Sequence, residues 1–206
     1  MQVQEQREIV GRVLRASTTG FDCGTRGSRI DEKHVFGSFV KVPIAEDFSA
    51  TAVGLIYAIR IDDDPLAREL VMASIVDNSA LLDQRENRMV PVEIAVINIG
   101  YVVNGEMYQS LPPRPPLSLS EVELCSYDET YAFTRRFDYF RLVLGAPEVP
   151  SDELLAAAIR YASQAYPDAR ERYDFLVRAG RQLANLLSHD LKRLSRVLAL
   201  IRPPQH

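Results

Sequence analysis

The stretch Val53–Ile61, VGLIYAIRI, decides the fold class, because its side chains alternate with the period of two that marks a β-strand. One face is wholly apolar, and the other is small or mixed. The apolar face carries Val53, Leu55, Tyr57, Ile59 and Ile61. This pattern predicts a strand in a sheet that has one buried face.

Other segments with strand patterns predict a small barrel around this strand. They are Glu8–Arg15, His34–Pro43 and Val90–Val103. Ser17–Gly27 is rich in Gly, Ser and Thr and predicts a loop or hairpin connection, across which Phe21 and Cys23 could continue the strand pairing. In the longest of them the apolar side chains change phase near Asn98 and Gly100. A bulge or sharp bend between Val96 and Tyr101 would absorb this switch. Asn104-Gly105 then predicts a hairpin.

Two further strands are expected after the hairpin, at Glu106–Gln109 and Leu117–Leu124. They are joined by LPPRPP, Leu111–Pro116, which is extended and stiff. A proline segment of this kind around Arg114 is also typical of recognition motifs. Its place between two strands of one barrel favours a structural connection.

The period changes to 3.6 residues from Ser126 onward, which predicts helices. Ser126 and Glu129 have capping-box spacing, and an aromatic stripe follows that we expect in the core rather than in a ligand site: Phe133, Phe137 and Phe140. We expect three helices, the last continuous from about Asp168 to about Ile201. The fold class is therefore α+β, with a β-barrel at residues 1–128 and a helical extension at 129–206.

Composition indicates an ordinary globular protein, since 47% of its 206 residues are hydrophobic. No apolar run approaches the roughly 20 residues of a membrane span, and the polar N-terminus does not resemble a signal peptide. Cys23 and Cys125 would allow one disulfide, but a chain of this size does not need it. We expect reduced thiols and a cytoplasmic location.

The net charge of −4 is unevenly distributed along the chain. Residues 168–206 contain eight Lys and Arg against four Asp and Glu, whereas residues 1–167 contain 16 against 24. An acidic body is a poor surface for nucleic acid. The basic end is suited to an acidic partner, although a solvated helix face is the simpler interpretation.

Motifs for chemistry are missing from the sequence, and we predict no catalytic, cofactor or metal residues. There is no phosphate-binding loop of the form G-x-x-x-x-G-K-[ST], and the three histidines lack zinc-ligand spacing. Ser188-His189-Asp190 cannot form a triad on a helix, because adjacent side chains point in different directions. Asp62, Asp63 and Asp64 before a predicted helix at about 65–75 favour a cap and a solvated turn, with a cation held together with Glu69 as the alternative.

The last predicted helix is the candidate protein interface. Its leucine stripe is too long for two shorter helices to cover, so part of it should remain exposed and drive association. The candidate interface residues are Leu187, Leu191, Leu194 and Leu198, together with the basic Arg178, Arg181, Lys192 and Arg196 on the opposite face. The alternative is that the leucines are ordinary core.

Residues 8–128 resemble the HAS-barrel family, the small barrel shared by HerA-type DNA-translocating ATPases and the N-terminal crown of ATP synthase ring subunits. Four segments carry the resemblance: IVGRV at Ile9–Val13, GSFVKVP at Gly37–Pro43, VGLIYAIRI at Val53–Ile61, and LPPRPPLSLSEVELCSYDE at Leu111–Glu129. In HerA-type proteins the barrel leads into an ATPase domain, but residues 129–206 here are helical and lack a phosphate loop. The resemblance therefore implies a module for assembly and docking without ATP hydrolysis.

The sequence thus predicts a non-catalytic protein-binding or assembly module, whose partner is a HerA-type ATPase, another protein of such a DNA-processing system, or a second copy of the chain. One alternative is direct binding of single-stranded nucleic acid, as small barrels often do, although the acidic barrel makes such binding weak or indirect. The other is an enzyme with scattered catalytic residues.

Overall fold

A computed structural model describes residues 8–26, 33–61 and 91–202. The described N-terminal part is built from β-strands, and its seven strands are as follows. They are β1 (Ile9–Ala16), β2 (Gly20–Arg26), β3 (Phe39–Pro43), β4 (Ala50–Ile61), β5 (Pro91–Val103), β6 (Glu106–Tyr108) and β7 (Glu121–Leu124). The helix predicted at about 65–75 and the acidic residues Asp62, Asp63, Asp64 and Glu69 lie outside the described residues.

Six of the described strands close into an antiparallel barrel, in agreement with the predicted fold class. The order is β2-β1-β7-β3-β4-β5, and β5 pairs with β2 to complete the ring. β6 is added to β5 by the predicted Asn104-Gly105 hairpin, in which both turn residues have positive φ, 50° and 83°. The hairpin connection predicted at Ser17–Gly27 contains the β1–β2 turn and β2, and the predicted strand pairing of Phe21 and Cys23 is confirmed, with both side chains in the barrel interior.

β4 is buried on both faces along its first half, which corrects the expectation of one buried face. Ala52 and Ile56 point into the barrel interior. Val53 and Leu55, from the predicted apolar face, instead point outward into a second core shared with the helices. The first half of the predicted apolar face therefore packs on the helical layer, whereas Ile59, beyond a register shift between Ile56 and Ala58, packs on the barrel interior. In β5 the buried side chains also change sides along the strand. Val92, Ile94 and Val96 lie in the barrel interior, whereas Ile97 and Ile99 face the helices, which explains the phase change seen in the sequence.

A bulge in β5 confirms the predicted irregularity between Val96 and Tyr101. Val53 pairs with Gly100, but the next residue, Gly54, pairs with Asn98. Ile99 is therefore the extra residue of the bulge. Asn98 Nδ2 donates to the carbonyls of Ser17 and Thr18 at 3.3 and 3.1 Å, which ties the bulge to the β1–β2 turn.

Five helices follow in the described C-terminal part, where three were expected. They are α1 (Tyr127–Phe133), α2 (Phe140–Leu144), α3 (Ser151–Ser163), α4 (Ala169–Leu186) and α5 (Leu191–Ile201). α3 is the central element, since its buried face joins the core that α1, α2, α4, α5 and the outer face of β4 and β5 share. None of the described helices is long and apolar enough to span a membrane.

The first predicted helix is broken between α1 and α2, because a buried side chain from the barrel occupies the break. Gln109 Nε2 donates to the carbonyls of Phe133 at 2.6 Å and Arg136 at 3.2 Å. Its Oε1 accepts from the backbone N–H of Tyr139 at 3.2 Å. The aromatic stripe still lies in the core as predicted, with Phe133 and Phe140 buried and Phe137 packed against them.

The prediction of one continuous last helix is also wrong. α4 ends at Leu186, and Asp190 begins α5 by accepting from the backbone N–H of Arg193 at 2.9 Å. The break lets α5 fold along α3, where Arg193 Nε donates to the buried Asp152 at 2.6 Å. Most of the leucine stripe is thereby covered by the protein's own core.

Cys23 and Cys125 are free, buried thiols in different parts of the structure. Cys23 lies in the barrel interior, and Cys125 lies in the core shared with the helices. Burial raises the pKa of the Cys23 thiol to about 12 and raises that of Cys125 as well. Because the nucleophile is the thiolate, neither cysteine has the character of a reactive site.

Candidate functional site

A groove of about 1190 Å³ lies on the outside of the barrel. Residues of β1, β3 and β7, the start of α1, Tyr161 of α3 and Phe48 of the β3–β4 loop line it. Here β3 and β7 pair over only two residues, Val40 with Leu124 and Lys41 with Glu123. The short pairing places outward-facing charged side chains beside the beginning of the helical region.

Carboxylates dominate the charged lining of the groove. Five acidic and two basic side chains line it: Glu8, Glu121, Glu123, Asp128 and Glu129, with Arg12 and Lys41. Arg12 Nη2 lies 2.5 Å from Glu121 Oε1. Glu8 and Asp128 are exposed. The lining as a whole is therefore acidic and suits a positively charged ligand surface.

Lys41 is a groove cation that lies near two of the carboxylates. Its Nζ lies 2.5 Å from Glu129 Oε1 and 3.7 Å from Glu123 Oε2. Partial burial by itself would lower the pKa of Lys41, but the hydrogen bond and the attraction to Glu129 outweigh it, with help from Glu123, and the pKa is raised. Lys41 therefore remains charged and holds two of the acidic side chains in place.

The predicted capping box of α1 positions Glu129. The Ser126 side chain accepts from the Glu129 N–H at 3.2 Å, and Glu129 Oε2 accepts from the Ser126 N–H at 2.9 Å. Oε1 of the same carboxylate accepts a hydrogen bond from Lys41 Nζ. One residue therefore caps the helix and also joins it to the barrel. Sequence reasoning found the cap from its spacing but missed the groove, whose lining comes from residues 8 to 161.

Large apolar side chains lie exposed at the groove or next to it. Tyr127 is 59% exposed, and Phe48 is 73% exposed. Leu119 precedes the lining residue Ser120 and is 66% exposed. Phe48 and Leu119 have positive φ, 57° and 62°, a backbone conformation that is unfavourable for bulky residues. Apolar side chains held outward in this way are suited to contact with another surface.

The predicted interface residues are divided between two helices. Leu187 is buried, and Leu194 and Leu198 pack half-buried on the helical core. Leu191 is 71% exposed at the start of α5.

The four predicted basic residues are all exposed, but they do not share one helix face. Arg178 and Arg181 lie on α4, and Lys192 and Arg196 lie on α5. The Arg178 guanidinium lies 5.7 Å from the centre of the Phe137 ring, and Arg196 Nη1 lies 3.8 Å from Asp152 Oδ2. Arg181 and Lys192 lie close to the α4–α5 turn in sequence.

The described residues contain no group of three His, Cys, Asp or Glu side chains that is arranged to hold a metal ion. Ser188, His189 and Asp190 lie in the exposed α4–α5 turn, and the Asp190 carboxylate caps α5. LPPRPP lies, as expected, in the connection between β6 and β7.

Comparison with known proteins does not assign the chain to a family. No protein-family model matches the chain, and no curated protein is significantly similar to it.

Proposed function

We propose that the protein is a non-catalytic docking module whose partner is an ATPase of a HerA-type DNA-processing system. The observation that carries the proposal is the acidic groove with exposed apolar side chains at its edge. The barrel interior is filled by packed side chains, so the outer surface is where a partner would bind.

The segments that resemble the HAS barrel support the proposal by their position. IVGRV contributes Arg12 to the groove, GSFVKVP contributes Lys41, and the LPPRPP-containing segment contributes Glu121, Glu123 and Glu129. Three of the four resembling segments thus meet at one surface. In a docking module, such a surface is the natural place for partner contacts.

Affinity purification from the source organism tests the partner. The tagged full-length chain serves as bait, and a HerA-type ATPase identified by mass spectrometry should co-purify and then bind the purified chain in calorimetry. A bait variant with Glu8→Lys and Asp128→Lys reverses two exposed groove charges. It should recover less of the ATPase than the wild-type bait. If purified ATPase and purified chain do not bind, the proposed partner is wrong.

A further inference from the structure

The α4–α5 turn carries an exposed leucine and lies between helices that are rich in basic residues, whereas the groove is acidic. Leu191 is 71% exposed and Leu186 is 39% exposed. Arg181 and Lys192 are exposed on the two helices that the turn joins, the turn itself carries the exposed Asp190, and residues 168–206 carry eight basic against four acidic side chains. Residues 168–206 therefore carry an excess of positive charge and an exposed leucine at the turn, whereas the groove is lined mainly by carboxylates and has exposed apolar side chains at it or next to it.

The turn lies away from the groove of its own chain. Arg193 Nε donates to Asp152 at 2.6 Å and Nη2 donates to Ser151 at 2.8 Å, which holds the start of α5 at the start of α3. Tyr161, which lines the groove, lies nine residues further along α3. At 1.5 Å per residue the two points are separated by about 14 Å along the helix axis. Complementary surfaces at separate places on one molecule favour contact between copies.

We propose that the groove of one copy receives the α4–α5 turn of a second copy. Leu191 of the turn contacts Tyr127 and Phe48 at the groove, and Arg181 and Lys192 face the carboxylates Glu8 and Asp128. The contact is heterologous, so repeated contacts produce a closed ring or a growing chain. The inference rests on the proposed role in docking and assembly: a second copy occupies the groove that is proposed above for the ATPase, so the two partners would compete for it.

Sedimentation velocity of the purified full-length chain tests the contact. The wild type should associate as its concentration rises, and association should weaken as salt is added, because exposed charges are screened. A groove variant, Glu8→Lys with Asp128→Lys, and a turn variant, Arg181→Glu with Lys192→Glu, should each associate at least about tenfold more weakly. A matched control reverses two exposed charges outside both the groove and residues 168–206, Glu106→Lys with Glu148→Lys, and should associate like the wild type.

A mixture of the two variants gives the sharpest result. The new groove lysines then face the new turn glutamates, and the native groove faces the native turn, so association should return to within about threefold of the wild type. If the groove variant does not fold by circular dichroism, Leu191→Ser tests the same contact, because Leu191 is exposed and its loss leaves the core intact. This variant should also weaken association.

The inference is overturned by a wild type that remains monomeric at millimolar concentration, or by association that Leu191→Ser and both charge variants leave unchanged. It is also overturned if the mixture fails to restore association. The experiment is independent of the ATPase: self-association without ATPase binding supports this inference while rejecting the partner named above. A monomer that binds the ATPase through the groove rejects this inference alone.

Discussion

Gly100 lies where the barrel meets the helices, and there is no room for a Cβ atom at this position. A Cβ at this position would lie 2.5 Å from the Tyr108 carbonyl oxygen and 2.8 Å from the Phe133 ring. The bulge therefore needs a residue without a side chain at the place where β6 and α1 meet β5. This requirement explains why a glycine occurs at the phase switch of an otherwise β-branched strand.

Replacing Gly100 by Ala should destabilise the protein by about 1–3 kcal/mol, since backbone and a buried ring must move to admit the methyl group. The matched control is Gly180→Ala within α4, where a Cβ would make an ordinary contact of 3.6 Å with Leu198. That change should stabilise by about 0.5–1 kcal/mol through the higher helix propensity of Ala. Urea unfolding measures both, and equal effects of the same sign would contradict this role of Gly100.

Glu129 both accepts from Lys41 and caps the start of α1, and two substitutions separate these two interactions. Glu129→Gln keeps an acceptor for the Ser126 N–H but removes the charge facing Lys41, whereas Glu129→Ala removes both. Loss of the cap should add about 0.5–2 kcal/mol of destabilisation to the alanine variant. Denaturant midpoints should therefore fall in the order wild type, Gln variant, Ala variant. An alanine variant as stable as the glutamine variant would show that the cap contributes little.

At the level of elements, the sequence predicted features whose signals are local. The capping box at Ser126 and Glu129, the Asn104-Gly105 hairpin and the β5 phase switch each depend on residues close together in the chain. The helix breaks were missed, because their causes are distant: Gln109 enters between α1 and α2, and Asp152 attracts Arg193 of α5. The groove was missed for the same reason, since Lys41 and Glu129 meet only in the folded chain.

The Asp190 cap provides a test of the break before α5. Asp190→Ala removes the acceptor of the Arg193 N–H and should cost about 0.5–2 kcal/mol of unfolding free energy. His189→Ala, one residue earlier in the same exposed turn, is the matched control and should change stability by less than about 0.5 kcal/mol. Thermal unfolding compares the two. A larger effect of His189→Ala would mean that the break is stabilised by something other than the cap.

The whole molecule has an acidic body and a basic end, which sets its expected behaviour with nucleic acid. Residues 1–167 carry an excess of eight negative charges, and residues 168–206 an excess of four positive ones. Few phosphate contacts are available, so single-stranded DNA should bind no tighter than about micromolar at roughly 0.15 M salt. Fluorescence anisotropy with a labelled oligonucleotide measures this affinity, and submicromolar binding would favour a nucleic-acid function instead.

Alkaline pH should destabilise the fold, because several buried acids keep their protons in the folded state. Burial raises the pKa of Cys23 to about 12 from 9.0 and that of Tyr161 to about 12 from 10.0, and it also raises the pKa of Cys125, Tyr139 and Tyr166. Above about pH 9 the unfolded chain releases these protons first, so stability is lost as the pH rises toward the folded-state pKa values.

The expected loss is at most about 1.4 kcal/mol per pH unit for each such group. Tyr161→Phe removes one titrating phenol at the groove and should make the loss between pH 10 and about 12 less steep, by less than this maximum, because the half-buried ring is screened by solvent. The same variant at about pH 8, where the Tyr161 phenol is protonated in both states, provides the baseline. Urea unfolding across this range measures the slope. Parallel curves for wild type and variant would mean that Tyr161 ionises as readily in the folded protein as in the unfolded chain.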